Sequence, residues 1–171
     1  MLAVERCAIP AGALLAAYQQ GGAYADCYAT DIEASVTHAE YVIAFYTTPV
    51  FKIERFILKW VAAKPSTDEE AGQLAAGTID SFAAWQVEKR SENQLLLTDF
   101  LGNTRSWLMV APKSGDKTIG SRLYFGSAVV PKVDAKTGER SLTFVFRALL
   151  GFHRIYSVVL LFAARSRLEK R

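Results

Sequence analysis

The sequence has few of the residues that cross-link small proteins or bind metals. Two cysteines, Cys7 and Cys27, and two histidines, His38 and His153, are spread over 171 residues. Two cysteines are too few for a disulfide framework, and no close Cys or His spacing is typical of a metal site. We therefore expect a protein of the reducing cytoplasm, with no metal and no cofactor. The sequence also lacks a glycine-rich phosphate loop and a nucleophile elbow, which disfavours the classes of enzyme that depend on them.

Long uninterrupted apolar runs are missing as well. Arg147, His153 and Arg154 interrupt the apolar segment near the C-terminus, so we expect no membrane span. The short apolar run at residues 11–17 has Arg6 as its only basic leader, which is unlike a secretory signal. The net charge of +3 is small and its excess lies at the C-terminal end, so we expect no nucleic-acid partner.

The strongest pattern in the chain predicts a long C-terminal helix over residues 141–171. Ser141 is a suitable N-cap, and basic residues at the far end suit the negative end of the helix dipole. The segment from Ser141 to Arg147 also alternates, which leaves a strand open there. Apolar residues recur at three- and four-residue steps and form one stripe along the helix: Val145, Leu149, Phe152, Tyr156, Val159, Leu160 and Ala163.

The rest of the chain predicts one domain over residues 1–171, with a leader helix within residues 1–22. Residues 24–32 alternate as a strand. Pro131 to Arg140 is a polar loop. The predicted fold is α+β, with a curved antiparallel sheet around the C-terminal helix and two or three helices inserted after the first strand.

Those inserted helices have clear beginnings. Thr37 with Glu40, and Thr67 with Glu70, form capping boxes, in which each side chain satisfies the other residue's backbone N–H. Pro49 suits the first turn of a further helix. We expect that helix to end at Val61, and the last of the three to end at Gly77.

Residues 82–130 predict a run of antiparallel strands, the last from Thr118 to Val130. If turns lie at residues 91–93 and 102–103, then Leu97 lies between Val87 and Leu108 on an apolar face. The same counting aligns Lys89 with Leu95 and Val110, and Ala83 with Leu101 and Thr104. It also places Trp85, Asp99 and Ser106 side by side on that face.

The opposite face of these strands carries its own apolar residues. Trp107 lies there with Leu96, Met109 and Phe100. An apolar patch needs a cover or a partner. We prefer a cover by the N-terminal helix or by the helix pair from Glu40 to Val61, and the alternative is a homodimer through the Trp107 patch.

This order of strand, inserted helices, antiparallel strands and final helix resembles the helix-grip fold of the START-like superfamily, which includes polyketide cyclases and lipid carriers. Residues 122–126 (RLYFG) and 146–157 (FRALLGFHRIYS) are similar to a group of uncharacterised bacterial proteins of that superfamily. The resemblance implies a sheet wrapped around the last helix and an internal cavity that takes a hydrophobic small molecule.

Asp99 is the leading candidate for a site residue. A carboxylate on a core face is costly unless it is paired or solvated, so Asp99 marks a polar spot in a cavity or a buried network. His153 lies one turn from Tyr156 and could reach Asp99, which would orient the imidazole and raise its basicity. The alternative is a buried pair that only ties helix to sheet. Trp85 and Tyr156 would line any pocket there. His38, in the first turn of a capped helix, is expected to be exposed.

Three functions follow from this sequence. The prediction we favour is a binding module that holds an apolar or aromatic molecule between sheet and last helix, in contact with Trp85, Asp99, Ser106, His153 and Tyr156. The second is a cyclase or dehydratase type enzyme in which Asp99 and His153 perform acid and base steps. The third is a structural or interaction protein without a ligand.

Overall fold

A computed structural model describes residues 4–61, 65–113, 119–130, 132–133, 140–141 and 144–170. The chain is α+β, as predicted. Seven antiparallel strands form one open sheet, and a long helix ends the described chain. None of the described helices is long and apolar enough to cross a membrane.

The elements follow one another in a simple order, and three helices are inserted after the second strand. They are β1 (Glu5–Arg6), α1 (Ala16–Gln20), β2 (Tyr24–Ile32), α2 (His38–Tyr46), α3 (Pro49–Val61), α4 (Asp68–Ala76), β3 (Ser81–Phe82), β4 (Trp85–Ser91), β5 (Gln94–Asp99), β6 (Thr104–Pro112), β7 (Ser121–Val129), β8 (Lys132–Val133), β9 (Arg140–Ser141) and α5 (Phe144–Leu168). The sheet order is β1-β2-β7-β6-β5-β4-β3, and β8 pairs with β9 separately. The predicted polar loop before Arg140 therefore contains β8, and β1 and β3 are too short for their alternation to predict them.

The predicted starts of the three inserted helices are confirmed. Thr37 and Glu40 form the reciprocal capping box of α2, and Thr67 and Glu70 form that of α4. Pro49 is the first residue of α3. The α4 helix ends at Gly77, whose φ of 76° is a left-handed conformation that favours glycine. These boundaries depend on contacts within a few residues, so they can be read from the sequence.

The start of the C-terminal helix differs from the prediction. Ser141 is not its N-cap, because Ser141 lies in β9 and pairs with Lys132. The helix begins at Phe144, so the ambiguous segment contains both a short strand and the first turns of α5.

The buried face of α5 is also rotated from the predicted stripe. Val159 is 41% exposed, whereas Leu161 is fully buried. The reason is that α5 contacts α2 and α3 as well as β2 and β7, so its inner face lies between helices and sheet. The side chains of residues 144–153 lie outside the described residues. The described buried positions of α5 are Ser157, Leu160, Leu161, Ala164 and Leu168.

The β4–β5 register agrees with the prediction at one end only. Val87 pairs with Leu97 and Trp85 with Asp99. A bulge then shifts the ladder, so that Lys89 faces Leu96 and not Leu95. The predicted alignment of Lys89 with Leu95 and Val110 is therefore wrong.

The β5–β6 register differs from the prediction by two residues. Leu97 pairs with Ser106, and Leu95 with Leu108. The turn is longer than the two residues assumed, since β5 ends at Asp99 and β6 begins at Thr104. The predicted alignment of Ala83 with Leu101 and Thr104 is wrong for the same reason. A shift of two leaves every side chain on its predicted face, and Leu97 and Leu108 are both buried there.

Two apolar layers lie on the two faces of the sheet. The helix-covered layer contains most of the described buried leucines and an aromatic group in which Phe45 contacts Tyr46, Phe51 and Phe125. The second layer is formed by Trp107, Leu96 and Met109 with Ala13 and Leu15. The last two belong to residues 4–23, which precede β2 and are called the N-terminal segment below.

The N-terminal segment thus covers Trp107, Leu96 and Met109, as we preferred, whereas Phe100 of the predicted patch is 47% exposed. Trp107 is fully buried. A homodimer stays a prediction, but it would need a surface other than Trp107.

Candidate functional site

The structure brings together part of the predicted row of site residues. Trp85 and Asp99 are cross-strand neighbours, as expected. Ser106 lies two residues further along, opposite Leu97, because of the longer β5–β6 turn. Tyr156 packs against the same core as Trp85.

The Asp99 carboxylate has a structural task. Its Oδ1 accepts the backbone N–H of Asn103 at 2.6 Å and that of Thr104 at 3.1 Å. These bonds close the β5–β6 turn and account for a half-buried carboxylate at this position. The side chain of His153 lies outside the described residues, so the Asp99 to His153 pair stays a prediction.

A different carboxylate on the helix-covered face was not singled out from the sequence. Asp26 is 3% exposed, and its cross-strand neighbour Ser127 donates a 2.6 Å hydrogen bond to it. Ser127 pairs in turn with Ser106, so the three side chains form a buried polar row across β2, β7 and β6. The Tyr24 hydroxyl donates to the same carboxylate at 3.4 Å. The alternation of β2 could have marked Asp26, but only its pairing with β7 reveals the row.

A wide cleft lies at the other end of the sheet. Its volume is about 880 Å³, and it is walled by the start of α2, the end of α4, the β4–β5 turn and the adjoining ends of β6 and β7. Polar and apolar side chains share its lining, among them His38, Arg90, Asn93 and Val110. Trp85, Asp99, Ser106 and Tyr156 do not line it, and the side chain of His153 lies outside the described residues.

His38 is the most unusual residue of this cleft. It was expected to be exposed, but it is only partly so, and its Nε2 atom is buried without a hydrogen-bond partner among the described residues. Burial lowers the pKa of His38 to about 4, although a hydrogen bond to the Leu108 backbone opposes that shift. The imidazole is therefore neutral at pH 7.

Arg90 and Glu40, beside the cleft, are already engaged, whereas the Glu92 carboxylate is an exposed part of its lining. The Arg90 guanidinium donates to the carbonyls of Leu74 and Ile79 at 2.7 and 2.8 Å, at the end of α4. At the start of α2, the Glu40 carboxylate accepts the Thr37 backbone N–H. The positive end of the α2 dipole thus faces a carboxylate of its own chain.

The described residues contain no group of three or more His, Cys, Asp or Glu side chains that could hold a metal ion. Comparison with known proteins adds no relative: no family model, no curated protein and no solved structure matches this chain. The function must therefore be argued from the geometry of the cleft.

Proposed function

We propose that this chain is a small-molecule binding module with the helix-grip arrangement, and that its cleft between α2, α4 and the end of the sheet holds an uncharged apolar or aromatic ligand. A volume of about 880 Å³ lies within the range of small-molecule sites. Val36 and Val110 offer apolar contact in its wall, and Asn93 offers polar atoms. The predicted START-like relationship agrees with this class of function.

An uncharged ligand fits the electrostatics best. An anionic ligand would have to compete with Glu40 at the α2 N-terminus, or take Arg90 from the carbonyls that it caps. A cationic ligand would lie beside Arg90 and the α2 dipole, and the exposed Glu92 carboxylate would have to offset both. A neutral molecule requires neither change.

The main support for binding, as opposed to catalysis, is the state of His38. A group whose pKa is about 4 is a weak base at neutral pH, so it is poorly suited to remove a proton from a substrate. The Nε2 atom is itself buried, so His38 shapes the wall of the cleft and the polar contacts to a ligand fall to exposed groups such as Asn93.

A neutral fluorescent probe, N-phenyl-1-naphthylamine, tests the proposal on the purified full chain. We expect saturable binding, and we expect Ala39→Trp to weaken it by about tenfold, because Ala39 is exposed in the cleft wall and a larger side chain takes up ligand space. Ala17→Trp is the matched control, since Ala17 is exposed on α1 and does not line this cleft. Absence of saturable binding, or equal loss in both variants, would reject the cleft as the ligand site.

Native mass spectrometry of the protein purified from its source gives independent evidence. We expect an uncharged small molecule to travel with the wild-type chain and to be depleted in Ala39→Trp. Retention of the same molecule in that variant would place the ligand elsewhere, for instance between the sheet and α5.

A further inference from the structure

The two cysteines of the chain face each other on neighbouring strands. Cys7 directly follows β1, and its backbone N–H donates to the Cys27 carbonyl of β2 at 2.9 Å. The two Sγ atoms lie 3.3 Å apart, with the Cys7 thiol donating toward Cys27. Both thiols are free, and the chain has no third cysteine.

The two thiols differ in access and in acidity. Cys7 is partly exposed and borders a second cleft of about 330 Å³, next to Arg6 and Asp26, whereas Cys27 is buried. When Cys7 ionises, the Cys27 thiol can donate to it, and this hydrogen bond lowers the pKa of Cys7. The same bond and burial raise the pKa of Cys27. Cys7 is therefore the thiol that ionises first and that a small molecule can reach.

The backbone permits a covalent bond between them. Cys7 lies opposite Cys27 where the β1–β2 register continues past Arg6, and opposed residues of an antiparallel pair have Cα atoms about 4.5–5.5 Å apart, within the range found for disulfides. The sulfurs need to approach by only about 1.3 Å to reach bonding distance.

We propose that Cys7 and Cys27 form a hydroperoxide-reactive dithiol site, in which Cys7 is the attacking thiolate and Cys27 the resolving thiol. The Cys7 sulfur attacks one peroxide oxygen, an S–O bond forms as the O–O bond breaks, and the departing alkoxide or hydroxide takes a proton. Cys27 then attacks the sulfur of this sulfenic acid, and its proton leaves with the hydroxyl group as water. Two thiols and one hydroperoxide thus give one disulfide, one alcohol or water, and one water.

The disulfide would fasten the N-terminal segment to the sheet. That segment supplies Leu15 to the layer over Trp107, and Glu5 of β1 forms an ion pair with Arg122 of β7. Because the cross-link restricts the unfolded chain between Cys7 and Cys27, we expect oxidation to raise the midpoint of thermal unfolding by about 5 °C or more. An unchanged or lower midpoint would contradict this effect.

The first test uses reduced wild-type protein and one equivalent of hydrogen peroxide, followed by alkylation and digestion. Trypsin leaves both cysteines within residues 7–52, so chymotrypsin, which can cut after Tyr18 and Tyr24, is needed to separate them. We expect a monomer that has lost two hydrogen atoms and in which the fragments carrying Cys7 and Cys27 are linked. Disulfide-linked dimers, or alkylated thiols without this link, would overturn the proposal.

The second test assigns the two roles. In Cys27→Ser we expect a Cys7 sulfenic acid that dimedone traps, and in Cys7→Ser we expect the remaining thiol to react at least about tenfold more slowly than in the wild type. Equal rates in Cys7→Ser and wild type would overturn the assignment of Cys7. The wild-type cross-link decides the proposal even if Cys27→Ser, a change at a buried position, fails to fold.

Discussion

The indole nitrogen of Trp107 donates a 2.9 Å hydrogen bond to the side-chain oxygen of Gln94. The same oxygen accepts the Leu14 backbone N–H at 2.8 Å, and the Gln94 amide nitrogen donates to the Gly12 carbonyl at 3.2 Å. One buried glutamine therefore joins the sheet, its most buried aromatic residue and the N-terminal segment. The fit of this layer is correspondingly sensitive to small changes.

Gln94→Leu should destabilise the fold by about 2–4 kcal/mol, because it leaves the N–H groups of Trp107 and Leu14 without an acceptor. Urea unfolding followed by tryptophan fluorescence measures the change. Gln86→Leu is the control, since Gln86 is exposed on β4, and it should change stability by less than about 0.5 kcal/mol. Similar losses in both variants would show that the Gln94 network has no special role.

Gly126→Ala should destabilise the protein by about 1–3 kcal/mol through overpacking. A Cβ at Gly126 would lie 2.6 Å from the Leu15 side chain and 2.9 Å from the Trp107 ring. Gly72→Ala in α4 is the matched control, because a Cβ there meets nothing within 4 Å. Alanine has a higher helix propensity than glycine, so this change should raise the free energy of unfolding by up to about 1 kcal/mol. We expect the midpoint of thermal unfolding to fall in Gly126→Ala and to rise in Gly72→Ala. An unchanged midpoint in Gly126→Ala would mean that Leu15 does not pack tightly against β7.

Acidification should destabilise the wild type through His38. The pKa of His38 is about 4 in the folded chain and 6.5 in a free imidazole. The unfolded chain therefore binds a proton more readily, so the free energy of unfolding is highest above pH 6.5 and falls as the pH is lowered toward 4. The loss amounts to about 3 kcal/mol between pH 7.5 and pH 4.

His38→Gln removes this contribution while it leaves the other titrating groups in place. The difference between the two proteins in free energy of unfolding, measured with urea at pH 7.5 and at pH 4, should therefore shrink or reverse on acidification. A pH-independent difference would mean that the ring titrates like a free histidine.

Asp99→Ala should cost about 1–2 kcal/mol, because the backbone N–H groups of Asn103 and Thr104 lose their acceptor. Asp99→Asn keeps an acceptor oxygen and should cost less. The same variants test the predicted pair with His153: if the role of Asp99 is confined to the turn, the His153 titration followed by NMR is the same in wild type and Asp99→Asn. A shifted His153 titration would instead support the pair.

The candidate site was only partly predictable, and the reason lies in how far apart its residues are. Trp85 and Asp99 belong to neighbouring strands, and counting from a turn at residues 91–93 paired them correctly. The turn is one residue shorter than that, and the bulge after Val87 compensates for the difference. Ser106 was misplaced by two residues, because the next turn was counted as shorter than it is. The cleft around His38 is formed by elements far apart in the sequence, and no local pattern shows that its ring would be buried.

The sequence by itself determined the features that depend on near neighbours: the capping boxes at Thr37 and Thr67, the proline start of α3, and the alternation that puts Leu97 and Leu108 on the covered face. Each depends on backbone groups or side chains within a few residues, so local chemistry is sufficient. Only the tertiary structure decided the pairing of β2 with both β1 and β7. That pairing brings Asp26 to Ser127 and Cys7 to Cys27, because contacts between distant segments depend on how the whole chain packs.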